Sequence, residues 1–250
     1  MLKLVDSVIV PSYFNQNIFK LNDINAEVIP YPLVNNNSLT KSVPREINKI
    51  SDETFVFLSI DTWQARKNNL GIVTSFLMSK HKNAKLIIKT NGSQKSIESE
   101  IYRYKKILNI NDDPEIIVIT RDLTESEILG LYDRADCFVS LSRGEAYGLS
   151  IMDVAQYGKP IIACPYGGHV ERLIDYAGIY WVNGRMAPVI QDYHLFSADM
   201  QWYDADLLHA AELMNKVVYA GRYQVYKREF PELAPEVIGK KLLEVLSHGY

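Results

Sequence analysis

Short apolar runs alternate along the chain with longer stretches that repeat apolar residues at helical spacing. Ile97, Ile101, Tyr104 and Leu108 recur every three or four residues and so follow one face of a helix. The runs that predict strands cover residues 5–10, 27–29, 55–60, 85–89, 115–119, 137–141, 161–164 and 179–182. Strands that alternate with helices build parallel sheets whose two faces are covered by those helices. The pattern therefore predicts an α/β protein with a Rossmann-like parallel sheet.

Two stretches show neither periodicity. Residues 35–48 are polar and predict a linker, and residues 184–201 predict a long loop. Asp204 and Asp206 follow that loop in a D-x-D pattern, which suits a metal ion. An apolar helical pattern begins directly after them, so a helix cap explains them better.

Composition and charge exclude several classes of function. The chain has 250 residues, of which 47% are hydrophobic, and this is enough for a sizeable core. Its net charge of -3 predicts no general attraction to nucleic acid or to an anionic membrane. Cys137 and Cys164 both fall in predicted strands, which indicates buried thiols in a reducing, cytoplasmic compartment. No apolar run reaches the roughly 18 residues that a transmembrane helix needs.

The segment from residue 142 to residue 172 carries the most chemical information. Glu145 and Gly148 follow a predicted strand, and a helix is expected over residues 149–157, where Gly158 ends it. Asp153 falls on that helix, one turn from its start. Glycines at a strand-to-helix turn let backbone N–H groups face an anion. The segment therefore predicts a site for a phosphate-bearing ligand at the carboxyl ends of parallel strands.

A basic pair and a glycine turn belong to the same predicted edge. Arg66 and Lys67 follow the strand 55–60, where a phosphate site is expected, although an exposed basic turn is the common alternative. Gly167 and Gly168 follow the strand 161–164, and a simple strand-exit turn explains them equally well. Arg121 follows the end of a predicted strand. It either borders the nucleotide base of the ligand or belongs to a surface turn.

These segments together resemble one known family. Glu145 and Asp153 resemble the E-x7-E motif of the retaining group 1 glycosyltransferases, which have the GT-B fold. Residues 131–136 look like the family's LY-x-x-AD segment, residues 66–68 like its basic segment, and residues 167–171 like its GG-x-x-E turn. One departure is that the second acid is aspartate instead of glutamate, which shortens its reach by one methylene. The fold that the resemblance implies is the C-terminal, donor-binding half of a GT-B enzyme.

The resemblance also implies roles for individual residues. Glu145, Lys67 and Arg66 are the expected catalytic residues, with the two cations on the diphosphate and Glu145 at the sugar. Asp153 is expected to hold the ribose hydroxyls. The remaining expected donor-binding residues are Thr62, Arg121, Ala146, Tyr147, Gly148, Leu149, Ser150, Gly167 and Gly168. Thr62 stands where many relatives carry an arginine. No cofactor and no metal are expected, because the nucleoside-diphosphate sugar is itself the donor substrate.

The amino-terminal segment resembles the end of the family's acceptor-binding domain. Residues 6–12 and 28–32 resemble its "AD-x-x-x-x-S … V-I-P-N" pattern, so residues 1–50 are expected to be this segment with a linker. Residues 51–250 are then the donor-binding domain. Three possibilities remain open: a fragment of a longer protein, an acceptor half supplied by a partner chain or a second copy, and a protein of reduced function.

Two functions from different classes fit the sequence. The first is a glycosyltransferase that moves a sugar from a nucleotide sugar to an unknown acceptor, with retention and without a metal. The second is a nucleotide-sugar-binding or interaction subunit without transfer activity of its own. An epimerase on a similar fold is a weaker third candidate, since it also needs two domains. The expected location is the cytoplasm or the periphery of a membrane.

Overall fold

A six-stranded parallel sheet dominates the computed structural model, which describes residues 5–34, 39–110, 115–189 and 196–247. The strands are β1 (Ile9–Val10), β2 (Glu27–Val28), β3 (Phe55–Ile60), β4 (Ala84–Lys89), β5 (Ile116–Ile119), β6 (Cys137–Ser140), β7 (Ile161–Ala163), β8 (Ile179–Trp181), β9 (Gly184–Pro188) and β10 (Gln201–Ala205). The helices are α1 (Tyr13–Lys20), α2 (Asn69–Ser79), α3 (Gln94–Ile107), α4 (Glu125–Arg134), α5 (Leu149–Ala155), α6 (Val170–Leu173), α7 (Leu207–Ala220) and α8 (Pro235–Ser247), with short 3-10 helices at Ala65–Lys67 and Pro231–Leu233.

The order of the strands places a crevice in the middle of the sheet. Hydrogen bonds join the strands in the order β5-β4-β3-β6-β7-β8. The chain builds outward from β3 to β5 and then returns to lay β6 against the other side of β3, with Phe57 opposite Cys137. Such a reversal is where open α/β sheets bind ligands, because the loops after the two central strands diverge there. The predicted fold class is confirmed.

Each face of the sheet carries its own apolar core. Val56 and Leu58 of β3 belong to the core that α4 and α5 cover. Phe55 and Phe57 point to the opposite face and belong to the core that α2 and α7 cover. Successive side chains of a strand alternate between faces, so a strand buried on both faces must be apolar throughout. This explains why the central strands of the sheet are mostly apolar, with Ser59 in β3 and Ser140 in β6 as exceptions.

The amino-terminal segment lies against the large sheet's domain without joining the sheet. β1 pairs in parallel with β2 to form a separate two-stranded sheet. The prediction of a strand over residues 5–10 is therefore wrong in length, since only Ile9 and Val10 pair. Phe14 meets Tyr166 edge-on at 5.0 Å between ring centroids, and Leu33 is buried in the core under α4 and α5. The domain boundary at residue 50 stays a prediction.

The predicted linker is anchored where the structure describes it. Ile47 is 2% exposed and belongs to the same core as Leu33. The Ser42 backbone N–H donates to the Ser126 carbonyl at 3.0 Å. The polar composition of this stretch correctly predicted irregular backbone, but Ile47 ties that backbone to the domain.

The prediction of a long loop over residues 184–201 is wrong at residues 184–188 and at Gln201, which belong to strands. β9 and β10 form an antiparallel hairpin there, in which Trp202 lies opposite Ala187. Residues 190–195, between the two strands, lie outside the described residues. The segment escaped detection because β9, with Gly184 and Arg185 at its start, does not alternate cleanly between apolar and polar residues.

Within the described ranges, no helix is both long enough and apolar enough to cross a bilayer.

Candidate functional site

The charged residues predicted on either side of the crevice come together in the structure. Lys67 contacts Glu145 Oε1, and Arg66 Nη1 lies 3.8 Å from Glu145 Oε2. Lys67 comes from the loop after β3, and Glu145 comes from the loop after β6. The sequence thus predicted that these three residues share one place, and the strand order brings their two loops side by side.

Backbone hydrogen bonds lock the two loops to each other. Arg66 Nη1 donates to the Gly144 carbonyl at 2.5 Å, and the Arg143 N–H donates to the Arg66 carbonyl at 2.8 Å. The Ser142 hydroxyl also lies 3.4 Å from the Arg66 carbonyl oxygen, to which it donates. Arg66 therefore serves the architecture of the site as well as its charge, and its guanidinium still has donors to spare.

A second acid in the cluster was not predicted. Asp61 directly follows β3, and its Oδ1 lies 2.7 Å from Lys67 Nζ. Burial raises the pKa of Asp61 to about 6; the Lys67 ammonium opposes this rise and the Glu145 carboxylate adds to it. The signal was available in the sequence, because Asp61 stands at the carboxyl end of a central strand, as the predicted ligand-facing residues do.

Two glycines support the acidic loop by close approach. Gly167 has a φ of 139° and pairs with Glu145 as an isolated bridge. A Cβ at Gly167 would lie 2.5 Å from the Glu145 carbonyl oxygen, and one at Gly168 would lie 2.3 Å from that of Ala146. Neither site has room for a side chain. The structure thus gives the glycine turn a supporting role behind Glu145, and its contact with the donor stays a prediction.

The amino-terminal segment reaches the back of the same loop. The Ser12 hydroxyl donates to the Ala146 carbonyl at 2.9 Å. Glu171 accepts hydrogen bonds from the backbone N–H groups of Tyr13, at 3.2 Å, and Phe14. A carboxylate at a helix N-terminus satisfies donors that the helix itself cannot. Glu171 therefore anchors α1 against the site in this structure.

His169 is a buried group near the site that the sequence did not single out. It is 2% exposed, and its Nε2 lies 2.9 Å from the Cys164 carbonyl oxygen. A carbonyl only accepts, so Nε2 carries the proton and Nδ1 is an acceptor, which has no partner among the described residues. Burial lowers the pKa of His169. The neutral ring packs against Gly148, where a Cβ would approach the His169 Cβ to 3.0 Å.

The start of α5 lies between these elements. Gly148 is its N-terminal cap and has a φ of 79°, which glycine adopts without strain. Leu149 and Ser150 occupy the first turn, whose N–H groups have no acceptor within the helix. Leu149 is 47% exposed, so this end of the helix is open to a ligand.

Asp153 lies deeper on α5 and faces α4. Burial raises its pKa to about 6, and a hydrogen bond with Tyr132 offsets part of that rise. It is the fifth residue of α5 rather than part of the first turn, so the helix terminus does not account for its position. A ribose role for Asp153 stays a prediction.

Three other predicted donor residues have partners of their own. Tyr147 is 3% exposed and its hydroxyl donates to the Tyr31 carbonyl at 3.2 Å, so its side chain lies in the core. Arg121 binds Glu46 and Glu127, with nitrogen–oxygen distances of 2.8 Å and 2.5 Å. The Thr62 carbonyl accepts from Asn69 at 2.7 Å. These contacts tie the three residues to other parts of the fold, and donor binding by each of them stays a prediction.

The D-x-D pattern has separate uses for its two acids. Asp206 caps α7 by accepting from the N–H groups of Leu208 and His209, at 3.0 Å and 3.1 Å. Asp204 pairs with Arg143 at 3.3 Å. The predicted helix cap is confirmed at Asp206. No group of three or more metal-ligating side chains converges within the described part of the chain.

Comparisons with known proteins agree with this fold. Residues 41–202 match the family model described as glycosyl transferases group 1. The Alpha-1,3/1,6-mannosyltransferase ALG2 of Mus musculus is 21% identical over 187 residues, which cover 68% of this chain and 45% of that protein. The same enzyme of Homo sapiens is 22% identical over 187 residues, covering 68% and 44%. The chain thus spans less than half the length of these curated relatives.

Solved structures share the fold over nearly the whole chain. Sucrose-phosphate synthase from Thermosynechococcus elongatus superimposes with a TM-score of 0.70 at 16% identity, covering 98% of this chain and 58% of that one. Anabaena Alr3699/HepE in complex with UDP and glucose gives a TM-score of 0.66 at 15% identity, covering 98% and 64%. The coverage includes the amino-terminal segment.

Proposed function

Since the chain belongs to the group 1 glycosyltransferase family, we propose that it provides the donor-binding half of a glycosyltransferase. In this proposal it moves a sugar from a nucleoside-diphosphate sugar to an acceptor. The observation that carries the proposal is the meeting of Lys67 and Arg66 with Glu145 at the central crevice of the sheet, where the side chain of Lys67 is 13% exposed and that of Arg66 is 26% exposed. An ordinary solvated basic turn would leave these two cations exposed.

The cluster suits a reaction in which a diphosphate leaves with growing negative charge. Lys67 Nζ and the guanidinium of Arg66 meet Glu145 in the loop that leads into α5, and the first N–H groups of α5 have no acceptor within the helix. Fixed positive groups in a largely buried site stabilise developing charge without reorganising. The proposed mechanism therefore needs no metal ion, and its test includes a chelator.

Glu145 has the proposed task of steadying the sugar as its bond to the diphosphate breaks. The Glu145 side chain is 10% exposed and its carboxylate forms an ion pair with Lys67, so the carboxylate is held in one place. A carboxylate near the anomeric carbon stabilises an oxocarbenium-like state. Retention of configuration is part of the proposal through the family resemblance, and product analysis by NMR tests it directly.

Two substitutions separate the roles of the acids. We expect Glu145→Gln to spare binding of a nucleoside diphosphate, because its contact is to the sugar, and to reduce transfer by at least tens of fold. We expect Asp153→Ala to weaken nucleoside diphosphate binding by about 1–3 kcal/mol, the cost of a lost buried hydrogen bond. Calorimetry and a donor-hydrolysis assay measure the two effects. Equal losses of binding in both variants would contradict this division of labour.

The second candidate is a subunit that binds a nucleotide sugar without transferring it. A panel of nucleotide sugars, assayed for binding, hydrolysis and transfer with and without chelator, separates the two candidates. Binding without turnover, even with candidate acceptors and partner chains present, would favour the second. For the transferase, an acceptor and an acceptor-domain partner chain or second copy are part of the proposal.

A further inference from the structure

One ammonium group serves two carboxylates in the cluster. Lys67 Nζ lies 2.7 Å from Asp61 Oδ1 and contacts Glu145 Oε1. The exposed fractions of the three side chains are 12% for Asp61, 13% for Lys67 and 10% for Glu145. A donor diphosphate that binds Lys67 must compete with both acids, and it brings further negative charge into the same buried space. A group in the cluster must therefore change its own charge to compensate for the added negative charge.

We propose that Asp61 is a positioning residue that holds Lys67 beside Glu145 before the donor binds and takes a proton from solvent when the donor diphosphate claims the ammonium group. The inference deepens the proposed function and rests on it. The step moves one proton from bulk water to a carboxylate oxygen of Asp61. No other bond is made or broken, and no electrons are transferred.

The backbone keeps Asp61 from turning away to avoid the charge. Its N–H donates to the Lys89 carbonyl at 3.0 Å, which continues the pairing of β3 with β4. Its Oδ1 also accepts from the Thr62 N–H at 3.2 Å. The carboxylate is thereby fixed at the strand end, next to Lys67. When Lys67 shifts toward a diphosphate, Asp61 is left buried without its counter-ion, and such a group regains its proton.

The surrounding charges set how easily this happens. Lys67 lowers the pKa of Asp61, Glu145 raises it, and burial brings it to about 6. Arg66 faces Glu145 from the other side, at 3.8 Å. Losing Lys67 as a close partner raises the pKa of Asp61 further, so we expect Asp61 to be protonated to a larger extent with the donor bound than without it. His169, whose pKa is lowered by burial, stays neutral in this range.

Asp153 is the competing source of such a proton, because burial also raises its pKa to about 6. It lies on α5 and interacts with Tyr132, away from the Lys67 ammonium. The two acids therefore form a matched pair: they share a residue type and a similar pKa, and only Asp61 touches the cation. Any experiment must measure both.

Titration calorimetry of the full chain with intact nucleotide sugars tests the proposal. UDP-glucose and GDP-mannose are suitable probes, since their diphosphates do not titrate between pH 6 and pH 8. In two buffers of different ionisation enthalpy at pH 7.5, we expect uptake of more than about half a proton per donor bound. By linkage, affinity should rise about tenfold from pH 8 to pH 6.5.

The variants assign the proton. Asp61→Asn imitates the protonated acid, so its affinity should change less than about twofold over that range, and its binding at pH 8 should exceed that of the native chain. Asp61→Glu should restore the proton uptake. Asp153→Asn should bind more weakly at every pH and keep the pH dependence.

Each outcome has a distinct meaning. Donor binding by the native chain without proton uptake would refute the inference, however the variants fold, and would leave the proposed function standing. Uptake that persists in Asp61→Asn and disappears in Asp153→Asn would assign the proton to Asp153 and overturn the inference as well. Failure of the native chain to bind any nucleotide sugar would refute the proposed function, and this inference with it.

Discussion

Two clusters in this molecule each set one cation between two carboxylates, and they behave in opposite ways. Lys67 lies between Asp61 and Glu145 at the crevice, and Arg121 lies between Glu46 and Glu127 beside the linker. The pKa of Asp61 is raised to about 6, chiefly by burial. The pKa of Glu46 is lowered to about 2, chiefly by its hydrogen bonds with Arg121, and that of Glu127 likewise.

Donor geometry and burial explain the difference. Arg121 offers a planar fork, and two of its nitrogens lie 2.8 Å and 3.0 Å from the two Glu46 oxygens. The Arg121 side chain is 31% exposed, so water also helps to stabilise the charges of both carboxylates. Lys67 is a point charge that two buried acids must share. The charges of the Arg121 cluster are therefore fully paired. In the Lys67 cluster two carboxylates share one ammonium group, and a ligand can change how that positive charge is shared.

The sharpest way to break the comparison is to remove each cation. We expect Lys67→Met to lower glycosyl transfer or donor hydrolysis by about 100-fold or more, as removal of one fixed charge stabiliser does in other active sites. Arg121→Met should leave turnover within a few fold and lower the melting temperature by a few degrees, since it unties the linker from α4. Steady-state kinetics and thermal unfolding of both variants measure this. A large loss of turnover in Arg121→Met would place that residue in the donor site.

A glycine pair tests how the buried cluster is held. Gly167→Ala forces a side chain into a φ of 139° and toward the Glu145 carbonyl at 2.5 Å. We expect a loss of about 1–3 kcal/mol in stability and a misplaced Glu145 with reduced turnover. Gly144→Ala is the matched control on the acidic loop itself, because a Cβ there meets nothing within 4 Å. Similar losses in both variants would show that the loop, and not the close approach, is sensitive.

The smallest expected effect is a difference in sign between the clusters as pH changes. A carboxyl whose folded-state pKa is raised, as for Asp61, makes the folded state bind more protons, so its contribution to stability falls as pH rises from about 4 to about 6. Glu46, whose pKa is lowered to about 2, contributes stability above its ordinary pKa of 4.5 and loses it as pH falls toward 2.

Urea unfolding at several pH values, with Asp61→Asn and Glu46→Gln, separates these contributions. Asp61→Asn should gain stability relative to the native chain at pH 8, by about 1–3 kcal/mol, and the gain should vanish near pH 4. Glu46→Gln should lose stability at pH 8 and approach the native chain near pH 2. A native chain that is equally sensitive to both substitutions in the same direction would contradict the contrast.

The parts of the fold that the sequence predicted well are those that local rules govern. β3 was predicted with its observed ends, because a largely apolar run of this length between polar residues is typical of a buried strand. The capping box of Thr124 and Glu127 at the start of α4 is likewise readable from the sequence, since both partners lie within one turn. The β9–β10 hairpin was missed because its pairing gives no such local signal.

The same limit applies to the candidate site. Glu145, Lys67 and Arg66 could be predicted as one site, because each follows a predicted strand of a parallel sheet and the family motif names them. Their residue types also indicated an anionic ligand. Residues on separate loops were thus linked by the topology that the alternating pattern implies.

Tertiary structure alone decided which acids share a cation and which glycines are forced. Asp61 and Glu145 are far apart in sequence, and Lys67 binds both only because β6 lies beside β3. From the sequence, Arg121 is as good a candidate for binding a ligand as Arg66. In the structure its guanidinium is paired with Glu46 of the linker. A sequence specifies the charge that a side chain can carry, but burial and the distance to other charges set the free energy of carrying it, and both depend on contacts between residues remote in the chain.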